Sequence, residues 1–240
     1  MRIDVITILP EIFREFLEAS LIGRARTAGL LDVRLHDLRD YTDDPHRSVD
    51  DEPYGGGGGM VMTAPPWLKA VRAVAGGDSG AHRILLSPQG ERLDDAKVQS
   101  LAEEKRLVLL CGRYEAVDER VRTLVVDSEL SVGDYVLSGG EVPAMVVIEA
   151  VSRQIPGVVG RHSSVVNESF RCGLLDYPHY TRPAVVEGVE VPEVLRSGDH
   201  RRIDRWRREQ ALEATRRKRP DLLGGQAAAP EVAPGRPNRR

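Results

Sequence analysis

Cysteine is scarce in this sequence, with Cys111 and Cys172 as the two examples among 240 residues. Two cysteines cannot form the disulfide framework that stabilises small secreted domains. Cys111 also ends an apolar run, where a buried free thiol is the ordinary interpretation. We therefore expect a protein of a reducing compartment, the cytoplasm.

Long apolar stretches are also missing, and none approaches the ~20 residues that a membrane-spanning helix requires. The first five residues, Met1 to Val5, include Asp4 where a secretory signal would carry an apolar run. These absences predict a protein that is neither inserted in a membrane nor exported.

Familiar catalytic and metal-binding signatures are not found. The six histidines are scattered, and no set of Cys, His and Asp residues has the spacing of a zinc site. Ser138-Gly139-Gly140 lacks the glycine pattern that flanks a serine nucleophile. No phosphate-binding loop with its lysine is present, and Gly139-Gly140 does not extend into a dinucleotide-binding fingerprint. We therefore assign no metal ligands, and the common hydrolase classes are disfavoured.

Neither sign of charge dominates the chain, which has 34 basic and 37 acidic side chains and a net charge of -3. The distribution is uneven, however, because basic residues greatly outnumber acidic ones between Arg196 and Arg219. A charged run is usually a solvated helix face. Such a concentration in an acidic chain also suits a nucleic-acid backbone, so both interpretations stay open at this point.

Apolar periodicity predicts alternating strands and helices over the first 160 residues. Strands are expected at Arg2 to Leu9, Leu31 to Leu35, Ile84 to Leu86, Leu107 to Cys111 and Leu124 to Val126. Helices are expected after Pro10, with Ile12, Phe13, Phe16 and Leu17 on one face, from Trp67 to Val74, and from Leu93 to Glu104. Several strands are apolar throughout, which indicates an α/β fold with a parallel sheet covered on both faces.

Three loops that follow these strands carry glycine and polar residues: Ser87 to Gly90, Gly112 to Glu115 and Leu137 to Gly140. Ligands of parallel α/β sheets bind at the carboxyl ends of strands, so we expect the three loops to converge on one pocket.

The stretch before the third loop, Ser131 to Leu137, is interpreted as a short apolar strand. A helix should follow from about Gly140, because Pro143 is tolerated inside a first turn. The paired glycines Gly139 and Gly140 would let a ligand approach the main chain closely.

A run of five glycines, Gly55 to Gly59, is typical of a flexible linker. Strand and helix patterns continue on both sides of it, so we interpret it as a loop inside a domain that bends tightly or lies against a ligand. Four regions result: a first domain (1–160), a linker without periodicity (161–184), a small helical domain (185–224) and an Ala/Pro/Gly-rich tail predicted to be disordered (225–240).

Taken together, six motifs resemble the bacterial tRNA (guanine-37 N1)-methyltransferases of the SPOUT superfamily. They are Asp50 to Met60, Leu86 to Gly90, Cys111 to Glu115 with Asp118 to Arg120, Gly133 to Glu141, Leu174 to Pro183, and Ser197 to His200. The motifs stand in family order and run on to Arg219-Pro220-Asp221-Leu222-Leu223, so only the tail falls outside the resemblance.

The resemblance implies a homodimer whose first domain contains a deep trefoil knot and binds S-adenosylmethionine, with tRNA held by the small C-terminal domain. By similarity, the residues that surround this cofactor are Leu86, Ser87, Gly112, Tyr114, Glu115, Val132, Gly133, Asp134, Tyr135, Val136, Leu137, Gly139 and Gly140. The knot could not be derived from the residues, because threaded chains are rare among known folds.

The resemblance also implies the catalytic residues, Glu168 as the general base and Arg153 as the group that stabilises negative charge on the guanine. The family has aspartate where this chain has Glu168, and the extra methylene displaces the carboxylate by about 1 Å or more. A smaller departure is Ala116, where the family usually has glycine. Taken alone, Glu168 or Arg153 would more simply be interpreted as a surface ion-pair partner.

The implied reaction is methylation of N1 of guanosine 37, preceded by guanosine 36, in the tRNA anticodon loop, with Mg2+ as an assisting ion. A non-catalytic RNA-binding protein of the same fold is the alternative that Glu168 raises. A third hypothesis, a SPOUT enzyme that acts on another RNA, is disfavoured by the match along the full length.

Overall fold

In a computed structural model of the protein, residues 1–160 and 168–224 are described. The chain divides into two compact units, Met1–His162 and Ser163–Arg240. The start of the predicted linker, 161–167, and the tail predicted to be disordered, 225–240, lie outside the described residues.

The first unit alternates strands with helices. Its strands are β1 (Arg2–Thr7), β2 (Asp32–Asp37), β3 (Asp50–Asp51), β4 (Val61–Met62), β5 (Ala81–Arg92), β6 (Arg106–Cys111), β7 (Ala116–Val117) and β8 (Ser128–Ser131). Its α-helices are α1 (Arg14–Glu18), α2 (Ser20–Thr27), α3 (Ala64–Ala75), α4 (Asp95–Glu103), α5 (Glu119–Val125) and α6 (Glu141–Ser152). Short 3₁₀ helices span Pro10–Phe13 and Leu38–Tyr41.

The central sheet has the strand order β2-β1-β6-β5-β8, and each neighbouring pair is parallel. The predicted α/β fold with a parallel sheet is thus confirmed. β3, β4 and β7 form a separate small sheet. Because the long strands run the same way, the carboxyl ends of β5, β6 and β8 meet at one edge.

Successive side chains of β6 are buried on opposite faces of the sheet, which explains why residues 107–111 are all apolar. Leu107, Leu109 and Cys111 pack into one core with α1, α2, α4 and α6, whereas Val108 and Leu110 pack into a second core with α3 and α5. Successive side chains of a strand point to opposite faces, so the two cores lie on the two faces of the sheet.

A buried carboxylate on β1 links the two strands that flank it in the sheet. Asp4 is fully buried and accepts hydrogen bonds from Arg2 Nη2 at 2.8 Å and Arg106 Nε at 2.9 Å, and it pairs with His36 Nε2 at 2.8 Å. Burial alone would raise the pKa of Asp4, but these hydrogen bonds outweigh it and lower the pKa from 3.8 to about 2. The cluster therefore stabilises the ionised carboxylate in the folded state.

We expect Asp4→Asn to lower the free energy of unfolding by about 2 kcal/mol at neutral pH. The folded pKa lies below the unfolded value, so this contribution is present above pH 3.8 and is lost as the pH falls through about 2. Urea unfolding of both proteins across this range measures the effect. A deficit that stays constant down to the lowest pH would show that lost packing, not charge, is responsible.

The predicted strand at Leu124 to Val126 is wrong, because Leu124 and Val125 end helix α5. The Asp118 side chain caps this helix by accepting from Arg120 N, and Val121 and Val125 are buried one turn apart while Leu124 is exposed. The strand follows at Ser128–Ser131, where Ser128 and Glu129 obscure the apolar pattern.

The helix predicted after Pro10 is also different in detail. A 3₁₀ turn, Pro10–Phe13, precedes α1, and Ile12 is exposed whereas Phe13 and Leu17 are buried. The tighter turn of a 3₁₀ helix rotates Ile12 away from the face that α-helical spacing assigns to it.

The second unit is small and only partly helical among its described residues. It contains an antiparallel pair, β9 (Val185–Val186) and β10 (Val189–Glu190), then α7 (Glu193–Arg196), α8 (His200–Lys218) and a 3₁₀ helix, Pro220–Leu223. The strand pair was not predicted, since the whole of 185–224 was expected to be helical. In the described part of the chain, no helix has the length and apolar character needed to cross a membrane.

Candidate functional site

The three glycine-bearing loops meet in a cavity of about 240 Å³, formed at an interruption within β5 and after the carboxyl ends of β6 and β8. Its walls are residues 85–89, 112–117, 131–133 and 135–140, together with Glu119, Arg122, Glu129 and Pro143. The convergence that strand order implied is therefore present in the structure.

The residues predicted to surround a cofactor line this cavity, with one exception. Leu86, Ser87, Gly112, Tyr114, Glu115, Val132, Gly133, Tyr135, Val136, Leu137, Gly139 and Gly140 are in its walls, and Asp134 is not. Arg113 and Glu129 also line it, although neither was singled out from the sequence. Arg113 stands inside a recognised motif, whereas Glu129 carries no local pattern that indicates a site.

The first loop is an interruption within β5. After Leu86 pairs with Leu130, the register shifts, and Glu91 pairs with the same residue. Ser87 Oγ accepts a hydrogen bond from Gln89 N at 3.1 Å, which turns the chain toward the cavity. The strand predicted to end at Leu86 thus resumes and continues to Arg92.

Gly90 permits this interruption because its main chain lies directly against β8. A Cβ at this position would clash with Leu130 N and with the carbonyl carbon of Glu129, and it would lie 2.7 Å from the carbonyl carbon of Leu130. These are backbone atoms of a paired strand, so they cannot rotate away as a side chain could.

We therefore expect Gly90→Ala to destabilise the protein by about 1–3 kcal/mol, as overpacking of a close-packed site does. The matched control is Gly58→Ala, where nothing lies within 4 Å of the added methyl group. Chemical denaturation of both variants tests the difference, and equal stabilities would refute the close approach of the two strands.

The second loop, after β6, is held by main-chain contacts. Gly112 O accepts from Gly140 N at 2.9 Å, and Glu115 N donates to Met60 O at 3.0 Å. Tyr114 adopts a φ of +61°, an uncommon conformation for a residue with a side chain. Ala116 forms β7 and pairs with Val61, so alanine is accommodated where the family usually has glycine.

The five-glycine run lies next to this second loop. Gly55, Gly56, Gly57 and Gly59 have positive φ, and the site of a Cβ on Gly59 is occupied by the Glu115 carboxylate. The interpretation as a tightly bent loop inside a domain is confirmed.

The third loop departs from the prediction, because residues 132–137 do not form a strand. β8 ends at Ser131, whose Oγ donates to Gly133 O at 3.0 Å, and Gly133 O also accepts from Tyr135 N at 2.9 Å. These bonds curl the chain, and Val136 is 83% exposed. The predicted helix start is confirmed, since α6 begins at Glu141 with Gly140 as its N-cap.

The buried side chain of Glu141 connects elements that form the cavity. Its side chain is 1% exposed, and it accepts hydrogen bonds from Thr7 Oγ1 at 2.8 Å and from Arg113 Nε at 3.1 Å. The carboxylate thereby joins the end of β1, the second loop and the first turn of α6. A negative charge is also favourable at this end of a helix.

The predicted catalytic residues lie in different units. Arg153 is the half-buried C-cap residue of α6 in the first unit. Glu168 is half-buried in the second unit, where its carbonyl oxygen accepts from Arg171 N. The next residues are fixed locally, because Ser169 Oγ accepts from Asp176 N at 2.9 Å and Phe170 N donates to Leu174 O at 2.7 Å.

Metal binding finds no support in residues 1–160 and 168–224. Within these ranges, no three or more His, Cys, Asp or Glu side chains are grouped so that they could hold an ion.

Comparison with known proteins gives a consistent result. A family model described as tRNA (Guanine-1)-methyltransferase TrmD matches residues 1–225. A protein of Moorella thermoacetica named tRNA (guanine-N(1)-)-methyltransferase is 54% identical over 233 residues, which cover 96% of this chain and 93% of the relative. Proteins with the same name from Dictyoglomus turgidum and Chloroflexus aggregans are 50% and 52% identical, and they cover 93% and 95% of this chain and 90% of each relative. The chain therefore belongs to the tRNA (guanine-1)-methyltransferase family.

Proposed function

We propose that this protein methylates N1 of guanosine 37, next to guanosine 36, in the tRNA anticodon loop, with S-adenosylmethionine as the methyl donor. The observation that carries the proposal is the cavity built from three glycine-bearing loops, in a chain that matches the family from residue 1 to 225. From the same reaction we infer that the protein acts in the cytoplasm.

The cavity has the chemistry that S-adenosylmethionine requires. Gly112, Gly139 and Gly140 expose main chain without side chains, which suits the flat adenine ring, and Leu86 adds apolar surface. Glu115 and Glu129 also line the cavity, and their negative charge would complement the positive sulfonium and ammonium groups. When bound, this donor supplies an electrophilic methyl group.

Guanine N1 carries a proton and has no free lone pair, so a base must remove that proton for N1 to act as a nucleophile. We assign this role to Glu168, whose carboxylate is a competent acceptor. Loss of the proton places negative charge on the guanine, largely at O6. We assign its stabilisation to the Arg153 guanidinium, because a fixed cation directed at developing charge lowers the barrier.

Binding of tRNA is assigned to the second unit. Helix α8 is rich in arginine and presents exposed guanidinium groups at Arg201, Arg202, Arg205 and Arg208. Phosphate contacts of this kind supply most of the affinity for RNA without reading its sequence. The target guanosine must leave the loop stack to reach a base and a methyl donor.

We further propose the trefoil knot and the homodimer that the family resemblance implies. The knot is proposed from the resemblance and from the family match over residues 1–225. Support for the dimer is helix α6, where two apolar residues of the outer face, Val142 and Val146, are exposed beside Glu149. Exposed apolar patches often mark contacts between protein chains.

Transfer of a labelled methyl group tests the proposal. Purified protein should label a tRNA transcript with guanosines at 36 and 37, and replacing guanosine 37 should abolish labelling. If the protein binds S-adenosylmethionine and tRNA without transfer, the non-catalytic alternative is favoured, and Glu168→Asp should then restore activity. Preferential labelling of ribosomal RNA in competition would favour a different substrate.

A further inference from the structure

A second cavity lies entirely within the second unit, and we propose that it binds one nucleotide of the substrate RNA other than the methylated guanosine. The proposal rests on the proposed function and adds a recognition site to it. The cavity encloses about 410 Å³ between the segment 177–184, helix α7 and the first half of α8.

Aromatic rings supply the first feature of a nucleotide site. Tyr177, His179 and Tyr180 line the cavity. The rings of Tyr177 and His179 lie 4.7 Å apart in a tilted pair. Tyr180 is 47% exposed, and its ring centroid lies 6.4 Å from that of Trp206. Unpaired bases of RNA bind to proteins largely by stacking on such rings.

Positive charge supplies the second feature. Arg182, Arg196 and Arg207 line the same cavity, and among the described residues of its wall none is acidic. The guanidinium of Arg207 lies 4.9 Å from the centroid of the Tyr177 ring. Guanidinium groups beside aromatic rings hold the phosphate of a nucleotide while its base stacks.

Arg207 carries an unused donor. Its Nε is buried from solvent and has no hydrogen-bond partner in the described structure. Asp204 Oδ1 lies 3.7 Å from Arg207 Nη1, so one carboxylate approaches a different nitrogen of the same group. A buried donor without a partner is costly. The Arg207 side chain is 42% exposed as a whole, so a phosphate oxygen can reach the accessible part of the guanidinium.

Hydrogen bonds connect the wall of the cavity to the segment that contains Glu168. His179, in the cavity wall, pairs with Asp176 Oδ2 at 2.9 Å, and Asp176 N donates to Ser169 Oγ at 2.9 Å. Leu175 N donates to Thr215 Oγ1 at 2.8 Å, which fixes this segment to α8. A nucleotide in the cavity would therefore be held at a fixed position relative to the proposed base.

Fluorescence of 2-aminopurine, placed singly at each anticodon-loop position of a tRNA transcript, tests the stacking. We expect the full-length protein to quench strongly at one position other than the target. Tyr180→Ala should remove that quenching and weaken binding by about 5-fold to 100-fold, whereas Tyr180→Phe should preserve both. Quenching at no such position, or equal behaviour of the alanine and phenylalanine variants, would overturn the proposal.

The contribution of positive charge to RNA binding is tested by comparing two neighbouring arginines of α8. Arg208 is exposed and does not line the cavity, so Arg208→Gln reports the general attraction of α8 for RNA. Arg207→Gln should weaken binding about 10-fold more than Arg208→Gln does. Equal effects would mean that the basic helix acts as a diffuse surface, which contradicts a nucleotide site. Thermal unfolding of each variant establishes that it is folded.

Failure of this inference can be told apart from failure of the proposed function by assaying methyl transfer with the same proteins. If wild-type protein transfers methyl groups but no position responds to Tyr180, the inference fails alone. If quenching responds to Tyr180 and no transfer occurs, the nucleotide site stands and the proposed reaction fails.

Discussion

Replacing Glu168 by glutamine is expected to lower the single-turnover rate of methyl transfer by about 100-fold to 10,000-fold, the usual contribution of a positioned general base. Glutamine has nearly the same shape but cannot accept the N1 proton. Binding of the donor should be unchanged, because the cavity that we assign to it belongs to the first unit. Single-turnover assays at saturating protein isolate the chemical step from binding.

The matched control is Glu168→Asp, which introduces the residue typical of the family. It keeps the carboxylate and shortens the side chain, so we expect transfer to persist. A displacement of about 1 Å can change the rate by as much as 100-fold, and the direction of that change shows which side chain the surrounding segment is built for. Wild-type rates in Glu168→Gln would eliminate Glu168 as the base.

Removal of the Arg113 side chain should produce the largest loss of stability among the cavity residues. Arg113→Ala leaves the buried Glu141 carboxylate without its cationic partner, and breaking a buried pair from one side costs about 3 kcal/mol or more. The hydrogen bond from Thr7 Oγ1 remains, so Glu141 keeps one donor. Glu141 connects the end of β1, the second loop and α6. Loss of this connection should disturb the cavity wall, so the affinity for S-adenosylmethionine should fall as well.

Arg122→Ala provides the comparison for this variant. Arg122 also lines the cavity, but it is exposed, and it pairs with the exposed Glu119 and, at 3.8 Å, with the half-buried Glu129. Exposed pairs contribute little to stability, so we expect almost no change in the urea midpoint. Similar midpoints for the two variants would show that the pair between Arg113 and Glu141 does not hold the loops together.

The sequence predicted those features that depend on neighbours along the chain. The apolar run of β6 could be recognised because both of its faces are buried, and the start of α6 followed from where Pro143 is tolerated. The strand predicted at 132–137 was wrong because it, too, was inferred from a local run of apolar residues. Its apolar side chains are exposed around the cavity, and local pattern cannot distinguish exposed apolar residues from buried ones.

Contacts between distant residues could not be predicted in this way. Thr7 and Glu141 are 134 positions apart, and nothing in either local sequence indicates a hydrogen bond between them. Glu129 is part of the cavity wall only because β8 pairs with β5. The strand β8 was predicted a few residues too early, so this contact could not be foreseen. The roles of Glu168 and Arg153 came from family resemblance, since each residue alone is an ordinary surface charge.

The most direct measurement of the central claim is nucleoside mass spectrometry of a tRNA transcript after incubation with this protein and S-adenosylmethionine. The account predicts 1-methylguanosine located at position 37 of a transcript with guanosines at 36 and 37, and its absence when guanosine 37 is replaced. Methylation at another guanine atom or at another position, or none with protein that binds both substrates, would contradict the account.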